Sequence, residues 1–193
     1  MPKQKTLKEA FSITGKGLHS GLNINITFNP APVNHGIKFQ RTDIEGQPTI
    51  DALADNVVET SRGTVIEENG AKVSTIEHVM SALYAMEIDN CLVQVDQPEV
   101  PILDGSAITY VNEIERVGTE EQSADREYYV VKKKLEFTSK DGVSKIQILP
   151  CDNFEVSVLV SYPSPILSNQ YAQLGSLADY KQEIASCRTF VFV

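Results

Sequence analysis

A chain of 193 residues, 41% hydrophobic and 22% charged, can hold one large domain or two small ones and is not composed like a disordered chain. Its 17 basic and 26 acidic residues leave a net charge of −9, which disfavours nucleic-acid binding, because neutralising phosphates needs a basic face. No apolar run approaches the roughly 20 residues of a membrane span, and Met1–Lys5 lacks an apolar signal core, so a cytoplasmic location with no integral membrane segment is expected.

From Thr6 to Phe28 the pattern is strand, turn, strand. Phe11 and Ile13 alternate with polar neighbours, and Leu22, Ile24, Ile26 and Phe28 share one face at period two. Between them, Gly15-Lys16-Gly17-Leu18-His19-Ser20-Gly21 places three glycines in seven residues. Such a loop implies special backbone angles or the close approach of another backbone or a ligand. His19 in it is open to two readings, a site residue or a turn residue. Asn29-Pro30-Ala31-Pro32 breaks the strand, His35 lies in the next turn as a solvated residue, and Gly36–Gln40 reads as a further strand. Thr64-Val65-Ile66 and Lys72-Val73 flank Glu68-Asn69-Gly70, a strong hairpin signal.

Ser74-Thr75-Ile76-Glu77-His78 then opens a helix whose Ile76, Val79, Met80, Leu83 and Met86 form a core stripe. Two readings of its start stay open. Ser74 and Glu77 fit a capping box, in which Glu77 only bonds back to the backbone. Alternatively, adjacent Glu77 and His78 supply the general base and one metal ligand that a metal-assisted hydrolase needs. His78 lies off the centre of the apolar stripe and so has no packing reason to be histidine.

Cys91–Val95 reads as a strand, and Asp96–Ser106 as a loop with Pro98 and Pro101 around an apolar pair. Ile108, Val111, Ile114 and Val117 mark a second helix that stops at Gly118. Glu99 and Asp104 can be imagined as paired acid/base carboxylates, but Asp104 or Ser106 serves more simply as a helix cap. Residues 118–127 are polar and read as a linker. Beyond it, Tyr129–Phe137, the turn Lys140-Asp141-Gly142, Val143–Leu149 and Phe154–Val160 echo the opening hairpins, so two domains on one plan are expected. Their bounds are 1–117 and 128–193. The second has only one expected helix, Ser176–Ala185, and ends on apolar residues with no polar tail, so it reads as incomplete. Cys91, Cys151 and Cys187 are odd in number and contain no C-x-x-C pair, so neither a zinc knuckle nor a disulfide framework is supported; Cys91 and Cys151 read as packing residues. Lys132-Lys133-Lys134 reads as a solvated strand edge, with a phosphate contact as the alternative.

Lys5-Thr6-Leu7, Gly15–Gly21, Ser74–Leu83, Ile88-Asp89-Asn90, Pro98–Ala107 and Arg188-Thr189-Phe190 occur in this order across almost the whole chain. Together they make the sequence resemble the zinc-dependent UDP-3-O-acyl-N-acetylglucosamine deacetylases of bacterial lipid A synthesis. The resemblance implies an α+β fold of two similar two-layer α/β sandwich domains, with mixed sheets, packed helices and a zinc site between them. It implies removal of the N-acetyl group from UDP-3-O-(3-hydroxyacyl)-N-acetylglucosamine. By position, Glu77 is the implied general base, His78 a zinc ligand, Thr189 the oxyanion-stabilising hydroxyl and Phe190 a wall of the substrate passage. Leu18 and His19 are implied substrate contacts. The family's other two metal ligands, a His and an Asp on one later helix, and its catalytic His fall past Val193, and Val191 stands where the family often has Gly. The 193-residue chain is therefore expected to bind zinc weakly or not at all and to be inactive alone. The resemblance extends to relatives of the Bacteroidetes type, in which the enzyme is fused to a hydroxyacyl-carrier-protein dehydratase, so a fused dehydratase is an expected partner domain of the whole protein. The rival expectation from another class is a non-catalytic module that binds a nucleotide sugar.

Overall fold

The computed structural model describes residues 1–189, an α+β arrangement of short strands and three α-helices. β1 (Lys3–Leu7), β2 (Phe11–Lys16), β3 (Asn23–Pro30), β4 (Ile37–Arg41) and β5 (Thr49–Asp51) precede β6 (Val57–Glu59), β7 (Val65–Glu68) and β8 (Ala71–Ser74). Next come α1 (Glu77–Ala85), β9 (Cys91–Val95), α2 (Ile108–Val117) and β10 (Thr119–Asp125). β11 (Leu135–Thr138), β12 (Lys145–Ile148), β13 (Val156–Ser161), β14 (Asn169–Leu174) and α3 (Tyr180–Glu183) follow. Residues 1–126, with the segment that begins at Lys181, form one compact unit, and Glu127–Tyr180 forms a second.

In the first unit a five-stranded mixed sheet runs in the order β2-β3-β9-β4-β5, with β4 parallel to β9 and the other pairs antiparallel. The period-two pattern of β3 buries Ile24, Ile26 and Phe28, while Cys91, Val93 and Val95 of β9 do the same beside them. A sheet face this apolar must be covered. Helix α2 presents buried Tyr110, Val111, Ile114 and Val117. Tyr110 packs on Phe28 with ring centroids 5.8 Å apart, and Phe28 stacks on Phe11 at 4.6 Å. The Tyr110 hydroxyl donates to Pro101 O at 2.6 Å, which satisfies its polar end inside the core. Helix α1 buries Val79, Ala82 and Leu83; Met80 and Met86 are only half-buried, so its buried stripe includes Ala82 in their place. Asn69 and Gly70 both have positive φ, 52° and 75°, and join β7 to β8 as the expected tight hairpin.

Residues 118–127 are not a linker. Gly118 does end α2, with φ 77° and its N–H on Ile114 O at 2.9 Å, but Thr119–Asp125 continues at once as β10, antiparallel to β1. An exposed polar strand carries no apolar alternation, and main-chain pairing holds it instead. Buried amides add to this: Asn90 Nδ2 donates to Gln4 Oε1 (2.8 Å) and Gln122 Oε1 (2.7 Å), and Gln122 Nε2 donates to Ala31 O (2.8 Å).

The second unit consists of two separate antiparallel hairpins, β11–β12 and β13–β14, rather than one mixed sheet. The strand expected from Tyr129 begins only at Leu135. The helix expected over Ser176–Ala185 is shorter: Ser176 Oγ accepts the Ala178 N–H at 3.2 Å to open a 3-10 turn, and only Tyr180–Glu183 is α-helical. Cys91 is buried as expected, whereas Cys151 is exposed and packs in no core. Among the described residues, no helix is long and apolar enough to cross a membrane.

Candidate functional site

The turn from β8 into α1 is made by a residue in an unusual conformation. Thr75 has φ 62°, a region that a β-branched side chain rarely enters, and such a position costs of order 1–3 kcal/mol. Helix α1 then begins at Glu77, not Ser74. Its N-cap, Ile76, provides no side-chain cap, and Ser74 Oγ donates instead to Pro98 O at 3.1 Å. The capping box is therefore not formed. Glu77 Oε2 accepts the Thr64 N–H at 3.0 Å, which fixes the carboxylate across to the loop before β7. Gly63 leaves room for this approach: a Cβ there would lie 3.3 Å from Glu77 Oε1, a tight contact. His78 is half-buried beside it, and its ring makes no hydrogen bond among the described residues.

The glycine-rich loop is built around Glu99. This carboxylate is 2% exposed. Its Oε1 accepts the His19 N–H at 2.9 Å and the Thr75 hydroxyl at 3.3 Å, and its Oε2 accepts the Ser20 N–H at 2.9 Å. A Cβ on Gly17 would lie 2.3 Å from Glu99 Oε2, so only glycine lets the loop close on this group. Burial pushes the pKa of Glu99 up, but the hydrogen bonds from Ser20 and His19 outweigh it and hold the carboxyl below its ordinary range. Glu99 is thus an ionised, saturated carboxylate inside the protein, not one of a pair doing acid/base chemistry. His19 Nε2 lies 3.1 Å from Arg62 O. His19 and Glu77 therefore grip the same short segment, at Arg62 O and at the Thr64 N–H. Leu18, beside His19, is 43% exposed.

Thr189 is held from a third direction, by its N–H on Gly105 O at 2.8 Å. Asp104 accepts from the Ser106 hydroxyl (2.7 Å) and N–H (3.1 Å), and pairs loosely with Arg188 at 3.3 Å. The Ser106 hydroxyl is the main reason that the Asp104 carboxyl sits below its ordinary range. Phe190 lies outside the described residues.

One loop, 98–105, ties these segments together. Ser74 N–H bonds Pro98 O (2.9 Å), Val100 N–H bonds Ser74 O (3.0 Å) and Ile102 N–H bonds Lys16 O (2.9 Å). Gly15 accommodates the loop, since a Cβ there would meet Leu103 at 2.8 Å and Pro101 at 2.9 Å. The structure thus links Glu77, His19 and Glu99 in one hydrogen-bonded network, with Leu18 and His78 as neighbours in the chain and Thr189 fixed farther along the same loop. Sequence reasoning missed the clamping role of Glu99 and the Thr64 N–H on Glu77. The three glycines were the available signal for the first; nothing local signalled the second.

Chemically, the arrangement offers a restrained carboxylate beside an imidazole at a helix start. Among the described residues no group of three or more His, Cys, Asp and Glu is gathered to hold a metal ion. Glu77 and His78 alone fall short of the three protein ligands that a catalytic zinc takes.

The sequence model of the UDP-3-O-acyl N-acetylglycosamine deacetylase family matches residues 4–193. The chain is 63% identical over 193 residues to the bifunctional enzyme LpxC/FabZ of Bacteroides thetaiotaomicron, covering 100% of this chain and 42% of that protein. It is 56% identical to the bifunctional enzyme LpxC/FabZ of Porphyromonas gingivalis, with the same coverage of 100% and 42%. The UDP-3-O-acyl-N-acetylglucosamine deacetylase of Myxococcus xanthus is 40% identical over 191 residues, which are 98% of this chain and 60% of that protein. The chain thus spans less than half the length of the two bifunctional relatives.

Proposed function

This chain belongs to the UDP-3-O-acyl N-acetylglycosamine deacetylase family, and on that premise we propose that the whole protein removes the N-acetyl group from UDP-3-O-(3-hydroxyacyl)-N-acetylglucosamine in lipid A synthesis. The observation that carries this reading is the anchored Glu77 carboxylate, with His78 next to it in the chain. Thr64 N–H occupies Glu77 Oε2, and Gly63 keeps side-chain bulk away from Oε1. That oxygen takes the proton of the attacking water, the task of a general base. Thr189, fixed through its backbone at Gly105, offers its hydroxyl to the oxygen that gains charge as the amide carbonyl is attacked. Leu18, His19 and Phe190 contact the substrate.

Zinc dependence is part of the proposal, with His78 as one ligand. A zinc ion supplies acidity to bound water and polarises a carbonyl. On the resemblance alone, the remaining ligands are a His and an Asp of the wider family's later sequence. The 193-residue chain alone is accordingly proposed to be inactive and to hold zinc weakly. Two further parts rest on similarity alone. The second unit is the beginning of a second sandwich domain built like the first, and the whole protein continues into a hydroxyacyl-carrier-protein dehydratase, as the bifunctional relatives' name suggests. We place the reaction in the cytoplasm.

The test is turnover. The whole protein, supplied with zinc, should release acetate from the UDP-linked substrate, and the 193-residue chain should not. A whole protein that binds the nucleotide sugar without deacetylating it would replace this reading with that of a binding module.

A further inference from the structure

We propose that Glu99 is a positioning residue for this site, whose buried carboxylate sets the loop of Leu18 and His19 and ties it to the turn that launches Glu77 and His78. The inference rests on the function proposed above for that site. Three donors from two chain segments converge on the one side chain: the His19 and Ser20 N–H groups at 2.9 Å each, and the Thr75 hydroxyl at 3.3 Å. Thr75 sits two residues before Glu77, in the left-handed conformation that turns the chain. Glu99 also shares its own loop with this turn, since Ser74 bridges to Glu99 as an isolated parallel pair.

The chemistry requires a carboxylate here and not merely a polar group. Both oxygens face donors, so an amide in its place would turn an N–H₂ towards at least one N–H and leave both unpaired inside the protein. The Gly17 cradle shows how closely the group is enclosed, with no room for even a methyl group beside Oε2. A fully buried charge is tolerated only through such complete satisfaction. Here the bonds it accepts come from the backbone of a loop whose side chains, Leu18 and His19, are exposed. The rigidity is delivered to a surface, where it can hold a ligand.

The test uses E99Q in the whole protein, with H19A as its partner in a double-mutant cycle. If Glu99 acts through the loop, KM for the UDP-linked substrate should rise about 10-fold or more, a larger effect than any fall in kcat. H19A should cost less in the E99Q background than in the wild type. Hydrogen exchange at the His19 and Ser20 amides should quicken about 10-fold or more, and by more than at the β3 and β9 amides, which follow global stability alone. A fall in active fraction with KM unchanged, or penalties of E99Q and H19A that simply multiply, would overturn the assignment. Should E99Q not fold, S20P removes the Ser20 N–H from the exposed side of the clamp, and the same KM criterion with exchange at the His19 amide decides. A wild-type protein without deacetylase activity defeats the proposed function instead; the exchange rates then decide on Glu99, and unchanged rates overturn its role.

Discussion

Replacing Gly17 with alanine tests the clamp directly, because Gly17 does not need a left-handed backbone and alanine adds only a methyl group. That methyl would lie 2.3 Å from both Glu99 Oε2 and Ser20 Oγ. The serine hydroxyl would have to give up its bond to Glu99 and the Leu22 N–H it accepts at 3.3 Å. Moving Glu99 gives up hydrogen bonds from His19 and Ser20, each worth about 1.5–3 kcal/mol to a charged acceptor. Overpacking in a closed interior costs about 1–3 kcal/mol by itself. G17A should therefore destabilise the chain by about 2–4 kcal/mol. The assay is urea denaturation followed by far-UV circular dichroism, with G21A as the comparison. Gly21 has φ 66°, and a methyl group added to it would meet nothing within 4 Å, so G21A reports backbone strain alone, about 1 kcal/mol. In an E99A background the G17A penalty should shrink by at least half. A G17A cost below about 0.5 kcal/mol, or one equally large without Glu99, would refute the reasoning.

The acid limb of stability should carry a Glu99 contribution. Its folded carboxyl titrates below the ordinary glutamate value of about 4.3, so the stabilisation is fully present above that value and is lost as pH falls through the folded value. The difference in urea midpoint between wild type and E99Q should accordingly be largest near neutrality and narrow below about pH 4; a pH-independent difference would count against it. Asn90 tests the polar anchorage of β10. N90A removes the partner of Gln4, Gln122 and the Gly36 N–H together, and should cost about 2–4 kcal/mol in the same denaturation assay. A loss under about 1 kcal/mol would mean that main-chain pairing alone holds the strand.

What could be read from the residues was local. The period-two face of Ile24, Ile26 and Phe28, the α2 stripe, the Asn69-Gly70 hairpin and the stop at Gly118 each depend on neighbours within a few positions and have their expected place, whereas Leu22 lies before β3 and is 43% exposed. The contacts that organise the site are not local. His19 and Glu99 are 80 residues apart, and Thr64 reaches Glu77 across a hairpin. Ser74-x-x-Glu77 fits a capping box by spacing, but Thr75 takes the chain out of register for it and both side chains bond elsewhere. β10 escaped notice because its stabilising partners are amides and main chain, which leave no hydrophobic period. Glu99 was legible as a carboxylate in an unusual loop; its role became clear only with the donors around it.

The central claim is that Glu77 is the base of an amide hydrolase, and E77Q in the zinc-supplied whole protein tests it most directly. Glutamine can still accept the Thr64 N–H through its carbonyl oxygen but cannot take a proton. Deacetylation of the UDP-linked substrate should lose about 10²–10⁴-fold in kcat, with KM and thermal stability near those of the wild type. An E77Q enzyme within about 10-fold of wild-type kcat would contradict the account.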